Sequence, residues 1–389
     1  MSANKDAEFA TQCIHGGLGP DPLTGAVMTP IYQTSTYAQS ESVIDKSYEY
    51  GRTRNPTRTA LQHNLAAIER GKFGVCFSSG LAAMDTVLRL LEPGDEVLAS
   101  DDLYGGSYRL LTTVFGRYGI KSRFIDMRDP ANVRKEVSAA TKMLWIETPT
   151  NPMLNIVDIA TLTGIAKAKE LISVVDNTFA SPYLQQPLTL GADIVLHSAT
   201  KYLGGHSDVI MGALILNDEA LADKLYYLQN AVGAVPGPQD CFLVMRGVKT
   251  LHLRVQRACE NARGIVDVLR NSDLVANVYY PGLKDHPRHD VAKKQMRDFG
   301  GMISFDLRED TREAVARVMK HIRYFTLAES LGGVESLIGH PATMTHASIP
   351  REQRLRVGLT DSLIRLSVGI EDVADLSGDL KNALAAASG

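Results

Sequence analysis

The chain is predicted to be an α/β protein with a mostly parallel, doubly covered sheet and a smaller α+β region at its C-terminal end. Three observations carry this expectation. From about Leu61 to Ala213, short apolar runs alternate with helix-length segments, the pattern of βα units. After about Lys249 the pattern changes to a long polar-apolar helix followed by mixed strands and helices, which predicts an α+β unit. Residues up to about Pro56 are rich in Gly, Pro, Thr and Tyr without a long helical period, so they read as an extended arm. The expected division is an arm over 1–58, an α/β domain over 59–248 and a C-terminal domain over 249–389.

Seven strands are expected in the α/β part, at Val75–Phe77, Glu96–Ala99, Arg123–Ile125, Met143–Ile146, Ile172–Val175, Ile194–Leu196 and Ile210–Ile215. Such runs are too short for helices and lack strict alternation, so both faces of the sheet are expected to be covered. Of the helices between them, Leu81 to Leu91 stops at Glu92-Pro93-Gly94-Asp95, and Asp158 to Glu170 starts on a capping aspartate. Beyond Lys249 a helix is expected over Leu251–Leu269, a strand at Met302–Phe305, a helix at Arg312–His321, a strand at Leu363–Val368 and a closing helix from about Asp372.

The 389 residues suffice for a large core, and 44% hydrophobic with 22% charged residues is an ordinary globular balance. A net charge of −3 offers no basic footprint, so neither nucleic acid nor an anionic membrane is an expected partner. The first residues lack a leader's apolar core, and no uncharged run approaches the ~18 residues of a membrane span, so the expected location is the cytoplasm. Cys13, Cys76, Cys241 and Cys259 form no C-x-x-C pair and are expected to be reduced, buried thiols. Cys13 with His15, and His197 with His206, lack metal-site spacing, so no metal is expected.

The chemistry is concentrated in Ser198-Ala199-Thr200-Lys201 and, upstream, Val174-Val175-Asp176-Asn177. A lysine just past one apolar run and an aspartate ending another suit pyridoxal 5′-phosphate, which needs a lysine amine to bind and a carboxylate to keep its ring nitrogen protonated. Ser79, Gly80 and Leu81 open a helix after a strand, and the amides of Gly80 and Leu81 can face a phosphate; an ordinary helix N-cap is the competing reading. Ser198 and Thr200 add hydroxyls, and Tyr50 with Arg52 in the arm can add a clamp. Tyr104 sits at a strand-to-helix junction, where it reads either as a stacking ring for a flat cofactor or as a core tyrosine. Arg365 suits a substrate carboxylate, against the alternative of a surface ion pair. No G-x-G-x-x-G follows the first strand, no phosphate-binding P-loop is present, and Gly205-His206-Ser207-Asp208-Val209 lacks the closing glycine of a nucleophile elbow.

Taken in order, Tyr50-Gly51-Arg52-Thr53-Arg54-Asn55-Pro56-Thr57, Ser79-Gly80, Tyr104-Gly105-Gly106, Glu147-Thr148-Pro149-Thr150-Asn151-Pro152, Val175-Asp176-Asn177-Thr178, Ser198-Ala199-Thr200-Lys201-Tyr202 and Arg365-Leu366-Ser367-Val368-Gly369 resemble the Cys/Met-metabolism pyridoxal-phosphate enzymes from about Gln12 onward. The resemblance implies fold type I, the aspartate-aminotransferase architecture, and a homotetramer built of two dimers that share active sites. It implies that Lys201 carries the cofactor, that Asp176 binds the ring nitrogen and that Tyr104 stacks on the ring and assists proton transfer. Tyr50 and Arg52 would reach the phosphate of the neighbouring subunit, while Asn151, Ser330 and Arg365 would bind an amino-acid carboxylate.

Among the family's members, methionine γ-lyases carry a cysteine where this chain has Gly106, and bacterial cystathionine β-lyases carry tryptophan where it has Leu331. Both are therefore weaker expectations. Glu329, which can receive the distal ammonium of cystathionine, and Arg109 are common to cystathionine γ-lyase and γ-synthase. Glu49 resembles the γ-lyase residue. The expected activity is hence cystathionine γ-lyase, with cystathionine γ-synthase as the alternative.

Overall fold

In the computed structural model, which describes residues 7–39, 48–347 and 349–387, the seven apolar runs form one sheet. Its strands are β1 (Phe73–Phe77), β2 (Glu96–Ser100), β3 (Lys121–Ile125), β4 (Thr141–Glu147), β5 (Ile172–Asp176), β6 (Ile194–Ser198) and β7 (Gly212–Leu216), in the order β1-β7-β6-β5-β4-β2-β3. β2 to β6 run parallel, and β7 is antiparallel to both β6 and β1. The reversal has a local cause: the segment from Ser198 to Gly212 contains no crossover helix, and a chain that turns back without one pairs antiparallel. This excursion carries Lys201.

The last strand starts two residues later than its apolar run. Met211 leaves the ladder to exchange hydrogen bonds with Thr200, its N–H donating to the hydroxyl at 3.0 Å, and Ile210 is exposed at the mouth of a cavity. Helix Gly80–Leu88 and helix Ile159–Ala168 occupy crossover positions, the second capped by the Asp158 carboxylate accepting from Thr161 N at 3.0 Å. The N-terminal segment contains a short helix, Phe9–His15, that its composition does not announce; Phe9 and Cys13 are its buried residues. Helix Pro56–Ile68 begins where Asn55 accepts from the N–H groups of Thr57 and Arg58.

A second sheet contains β8 (Val275–Tyr279), β9 (Met302–Leu307), β10 (Thr326–Leu327), β11 (Leu337–Gly339) and β12 (Leu363–Ser367), ordered β10-β11-β12-β9-β8. Helices Leu251–Arg270, Arg312–His321 and Val373–Ala387 share an apolar cluster with it, in which Ile265, Val315 and Leu380 meet Phe305, Ile364 and Leu366. The strand of Arg365 is buried along its whole length. Ser304 in β9 donates to Pro152 O at 2.7 Å and so ties this sheet to the segment leaving β4.

No helix among the described residues is long and apolar enough to cross a membrane, and no group of three or more potential metal ligands occurs among them. All four cysteines are buried and free, and burial pushes the thiols of Cys13, Cys241 and Cys259 up to about 12. His197 is half of a buried pair: its Nε2 lies 2.5 Å from Glu69 Oε1, which also accepts from Asn177 Nδ2 at 2.9 Å. Leaving one member of a buried pair alone costs roughly 3–5 kcal/mol. His197→Leu is therefore expected to lose about that much unfolding free energy in urea, and the His197→Leu/Glu69→Leu double variant less than the sum of the singles. Additive losses would show that the two side chains do not act as a pair.

Candidate active site

In β5, Asp176 pairs in register with Glu147 of β4 and Leu196 of β6, so two carboxylates stand side by side at the carboxyl ends of parallel strands. Open α/β sheets bind ligands at that edge. A cavity of about 910 Å³ lies there, and its wall includes Ser79, Gly80, Leu81, Tyr104, Asn151, Asp176, Ser198, Thr200, Lys201, Glu329, Ser330 and Arg365. Twelve residues singled out in the sequence, drawn from both sheets and the segments between them, thus share one space.

Lys201 follows β6, and its Nζ donates to Ser330 Oγ at 2.6 Å. Burial, reinforced by the Arg365 charge and partly offset by Glu329, lowers its amine from the ordinary lysine value to about 8. Asp176 Oδ1 accepts from Thr178 N at 3.0 Å. Burial raises its carboxyl above the usual range, against the opposing effect of Thr178's hydrogen bonds and of His197. A cation facing Asp176 in the cavity would favour its ionised form. Glu147 is pushed up by burial and by the neighbouring Asp176, although its two oxygens accept from the backbone N–H groups of Tyr104 and Asn151, each at 3.1 Å.

Arg365 is 4% exposed. Its Nη1 donates to Asn151 Oδ1 and its Nη2 to Ser330 O, both at 2.9 Å. Burial lowers the guanidinium to about 10, which leaves it charged at neutral pH. Lacking a carboxylate partner among these bonds, it suits an incoming one. Ser330 holds a φ of 108°, a backbone region that costs a non-glycine residue about 1–3 kcal/mol; here it presents its hydroxyl to Lys201 and its carbonyl to Arg365.

Ser79 does cap helix Gly80–Leu88, its Oγ accepting from Ala82 N at 3.0 Å. Gly80 and Leu81, the next two residues, line the cavity with their amides at the helix N-terminus. A Cβ on Gly80 would come within 3.1 Å of the Ser198 side chain, so glycine keeps this turn close to β6. Tyr104 is 39% exposed, with its ring against Gly106: a Cβ there would meet the ring at 2.3 Å.

Four candidates do not line this cavity. Tyr50 is 46% exposed, Arg52 stacks over its ring at 5.7 Å, and Glu49 lies beside them on the surface. Arg109 ends the short helix Gly105–Arg109 and is exposed. Arg58 holds the Tyr50–Arg52 turn in place, donating to Gly51 O at 3.1 Å, Arg52 O at 2.9 Å and Thr53 O at 2.8 Å.

Sequence reasoning did not single out Glu147, Thr178, Asp208 or Glu335, all of which line the cavity. Glu147 carries the signal that exposed Asp176, a lone acid ending an apolar strand. Asp208 and Glu335 lie in connecting segments and show no such pattern.

The residues fit pyridoxal phosphate. Lys201 is half-buried with a lowered amine, Asp176 is a half-buried carboxylate facing the same space, and Gly80 and Leu81 open a helix beside the hydroxyls of Ser198 and Thr200. Comparison with known proteins agrees. The pattern defining the Cys/Met metabolism PLP-dependent enzymes matches residues 10–385. The chain is 55% identical to a cystathionine β-lyase of Coxiella burnetii, over 98% of this chain and 99% of that one. It is 52% identical to a cystathionine γ-synthase of Mycobacterium bovis, over 96% of each. The crystal structure of a cystathionine γ-lyase from Lactobacillus plantarum complexed with L-serine superposes with a TM-score of 0.96, at 47% identity, over 98% of this chain and all of that one. The fold is therefore fold type I, the cofactor is pyridoxal phosphate, and the chain belongs to the Cys/Met metabolism PLP-dependent enzyme family.

Proposed function

We propose that the protein cleaves L-cystathionine by γ-elimination, giving L-cysteine, 2-oxobutyrate and ammonia with uptake of one water. The observation that carries this reading is the layout of the cavity: Arg365, held by Asn151 and the Ser330 carbonyl, is a carboxylate clamp in its depth, while the exposed Glu329 offers an anion to a distal ammonium. A substrate with an amino-acid head at each end fits both. When bound, pyridoxal phosphate supplies an electron sink for the bond broken at Cα.

The chain's own residues divide the remaining work. Arg365 and Asn151 hold the α-carboxylate, and Asp176 keeps a proton on the ring nitrogen. Lys201, displaced by the substrate amine, is the base that takes the Cα proton and then one from Cβ. Tyr104 or Lys201 protonates the departing sulfur at Cγ. Ser198, Thr200 and the Gly80–Leu81 amides hold the phosphate. Tyr50 and Arg52, outside the cavity of one chain, complete the phosphate site of a neighbouring copy in a homotetramer, and Glu49 and Arg109 contact substrate there. The arm to residue 58, the domain to 248 and the C-terminal domain divide these roles, and the setting is cytoplasmic.

Cystathionine γ-synthase chemistry, which Glu329 would serve equally, is the second reading, favoured by the similarity to the Mycobacterium bovis relative. One set of assays separates them: cystathionine alone, scored for 2-oxobutyrate against pyruvate, beside O-succinyl- or O-acetylhomoserine plus cysteine. The γ-lyase reading expects 2-oxobutyrate to dominate and kcat/KM to be higher for cystathionine. Dominant pyruvate would make the protein a β-lyase, and a higher kcat/KM for the replacement reaction would make it a synthase.

A further inference from the structure

His346 lies outside the cavity, yet it holds two of its walls together. It is 2% exposed, and its Nε2 lies 3.0 Å from Asn151 O and 3.3 Å from Leu103 O. Carbonyls only accept, so Nε2 carries the proton and is shared between them. Nδ1 lies 2.8 Å from Thr345 Oγ1, which is then the donor. Burial first, then the Arg365 charge, lowers this imidazole to about 4, so it is neutral in ordinary buffers.

The same two segments are joined a second time, on their N–H side. Glu147 accepts from Tyr104 N through Oε2 and from Asn151 N through Oε1, each at 3.1 Å. An acid and an imidazole thus bracket the Leu103–Tyr104 segment and Asn151, one taking N–H groups and the other serving carbonyls. Asn151 receives Arg365 Nη1, and Tyr104 lines the cavity. Thr345 itself lines the cavity, and a Cβ on Gly105 would meet Thr345 O at 2.3 Å, so the segment of His346 is packed directly on the Tyr104 turn.

We infer that His346 is a positioning residue for substrate: through its single shared N–H it fixes Asn151, and with it the Arg365 carboxylate clamp, at a set distance from the Tyr104 turn. This rests on the reading of Arg365 as the clamp. Tyr104 faces the cofactor as well, but Lys201 and Asp176, which would bind it through a covalent bond and a charge, make no hydrogen bond to His346, so substrate affinity depends on His346 more strongly than cofactor affinity does.

The test uses two variants of similar size. His346→Gln can place an amide N–H where Nε2 stands and loses the Thr345 contact. His346→Asn keeps an acceptor near Nδ1 for the Thr345 hydroxyl and loses the N–H shared by both carbonyls. Glycine, an amino acid with no leaving group, is the probe, titrated into each holoenzyme by calorimetry; pyridoxal phosphate affinity is measured separately on the apo-proteins by visible absorbance. His346→Asn is expected to weaken glycine about tenfold, about 1.4 kcal/mol, and to raise KM more than it lowers kcat. His346→Gln is expected to stay within about threefold of the parent, and pyridoxal phosphate affinity within about threefold in both. Equal weakening in the two variants, no weakening in either, or a matching loss of cofactor affinity would overturn the inference. Arg365→Lys is the control: if it leaves glycine binding intact the clamp itself is misassigned, whereas weak binding there with normal binding in His346→Asn refutes the role of His346 alone.

Discussion

Replacing Lys201 by alanine is expected to remove both the yellow colour of the purified protein and its turnover, with kcat/KM falling by at least about 10⁴. The size follows from the number of tasks on one nitrogen: it binds the cofactor and then moves two protons. No other lysine lines the cavity among the described residues, so none can stand in. The parent makes a second, directional prediction. An amine at about 8 is roughly one-tenth free base at pH 7, since the fraction falls tenfold per pH unit below the pKa. The rate at which apo-protein becomes coloured on addition of pyridoxal phosphate should therefore climb from pH 6 to about 8 and then level off. An ordinary lysine, at 10.5, would keep the rate climbing toward pH 10. That continued climb would mean that Lys201 is not held in a desolvated site.

Asp176→Asn is expected to be the next most damaging change. The amide keeps nearly the shape of the carboxylate and can still accept from Thr178 N, so folding should survive, but the negative charge opposite the ring nitrogen is lost. Removing one partner of a buried charge pair costs about 2–5 kcal/mol, which corresponds to roughly 30- to 5,000-fold in kcat/KM. Cofactor should still attach to Lys201, so the colour remains while the rate falls. A variant within about threefold of the parent in kcat/KM would show that a protonated ring nitrogen is not needed, and the assignment of Asp176 would fail.

These residues were legible before any coordinates because each breaks a local rule. Lys201 and Asp176 are charges at the ends of apolar runs, where burial is expected and an unpaired charge is costly. Most strands of the large sheet were equally plain, since runs such as Met143–Ile146 are covered on both faces and carry no polar alternation, whereas the edge strand β3, Lys-Ser-Arg-Phe-Ile, is half-exposed and shows only its last residues as an apolar run. β8, β10 and β11 were not. β10 is two residues long and exposed, β11 is three, and β8 reads Val-Ala-Asn-Val-Tyr, an apolar run interrupted by Asn277 and exposed in its middle. Helix Phe9–His15 was hidden by its brevity, at seven residues. In the site, Glu147 was readable by the rule that revealed Asp176, whereas His346 was not. Its significance lies in two carbonyls, Leu103 and Asn151, far away in sequence, and backbone acceptors leave no trace in residue identity. The strained Ser330 was readable only through resemblance, because φ follows from packing between the two sheets rather than from serine itself.

The most direct test of the account is to fix the cofactor where it is bound and find it. Holoenzyme is reduced with borohydride, which makes the lysine–cofactor bond permanent, then digested, and the peptides are mapped by mass spectrometry. The account predicts a single phosphopyridoxyl mark, on Lys201, which disappears in Lys201→Ala and persists in Asp176→Asn. A mark on any other lysine, or none in protein that retains full activity, would contradict it.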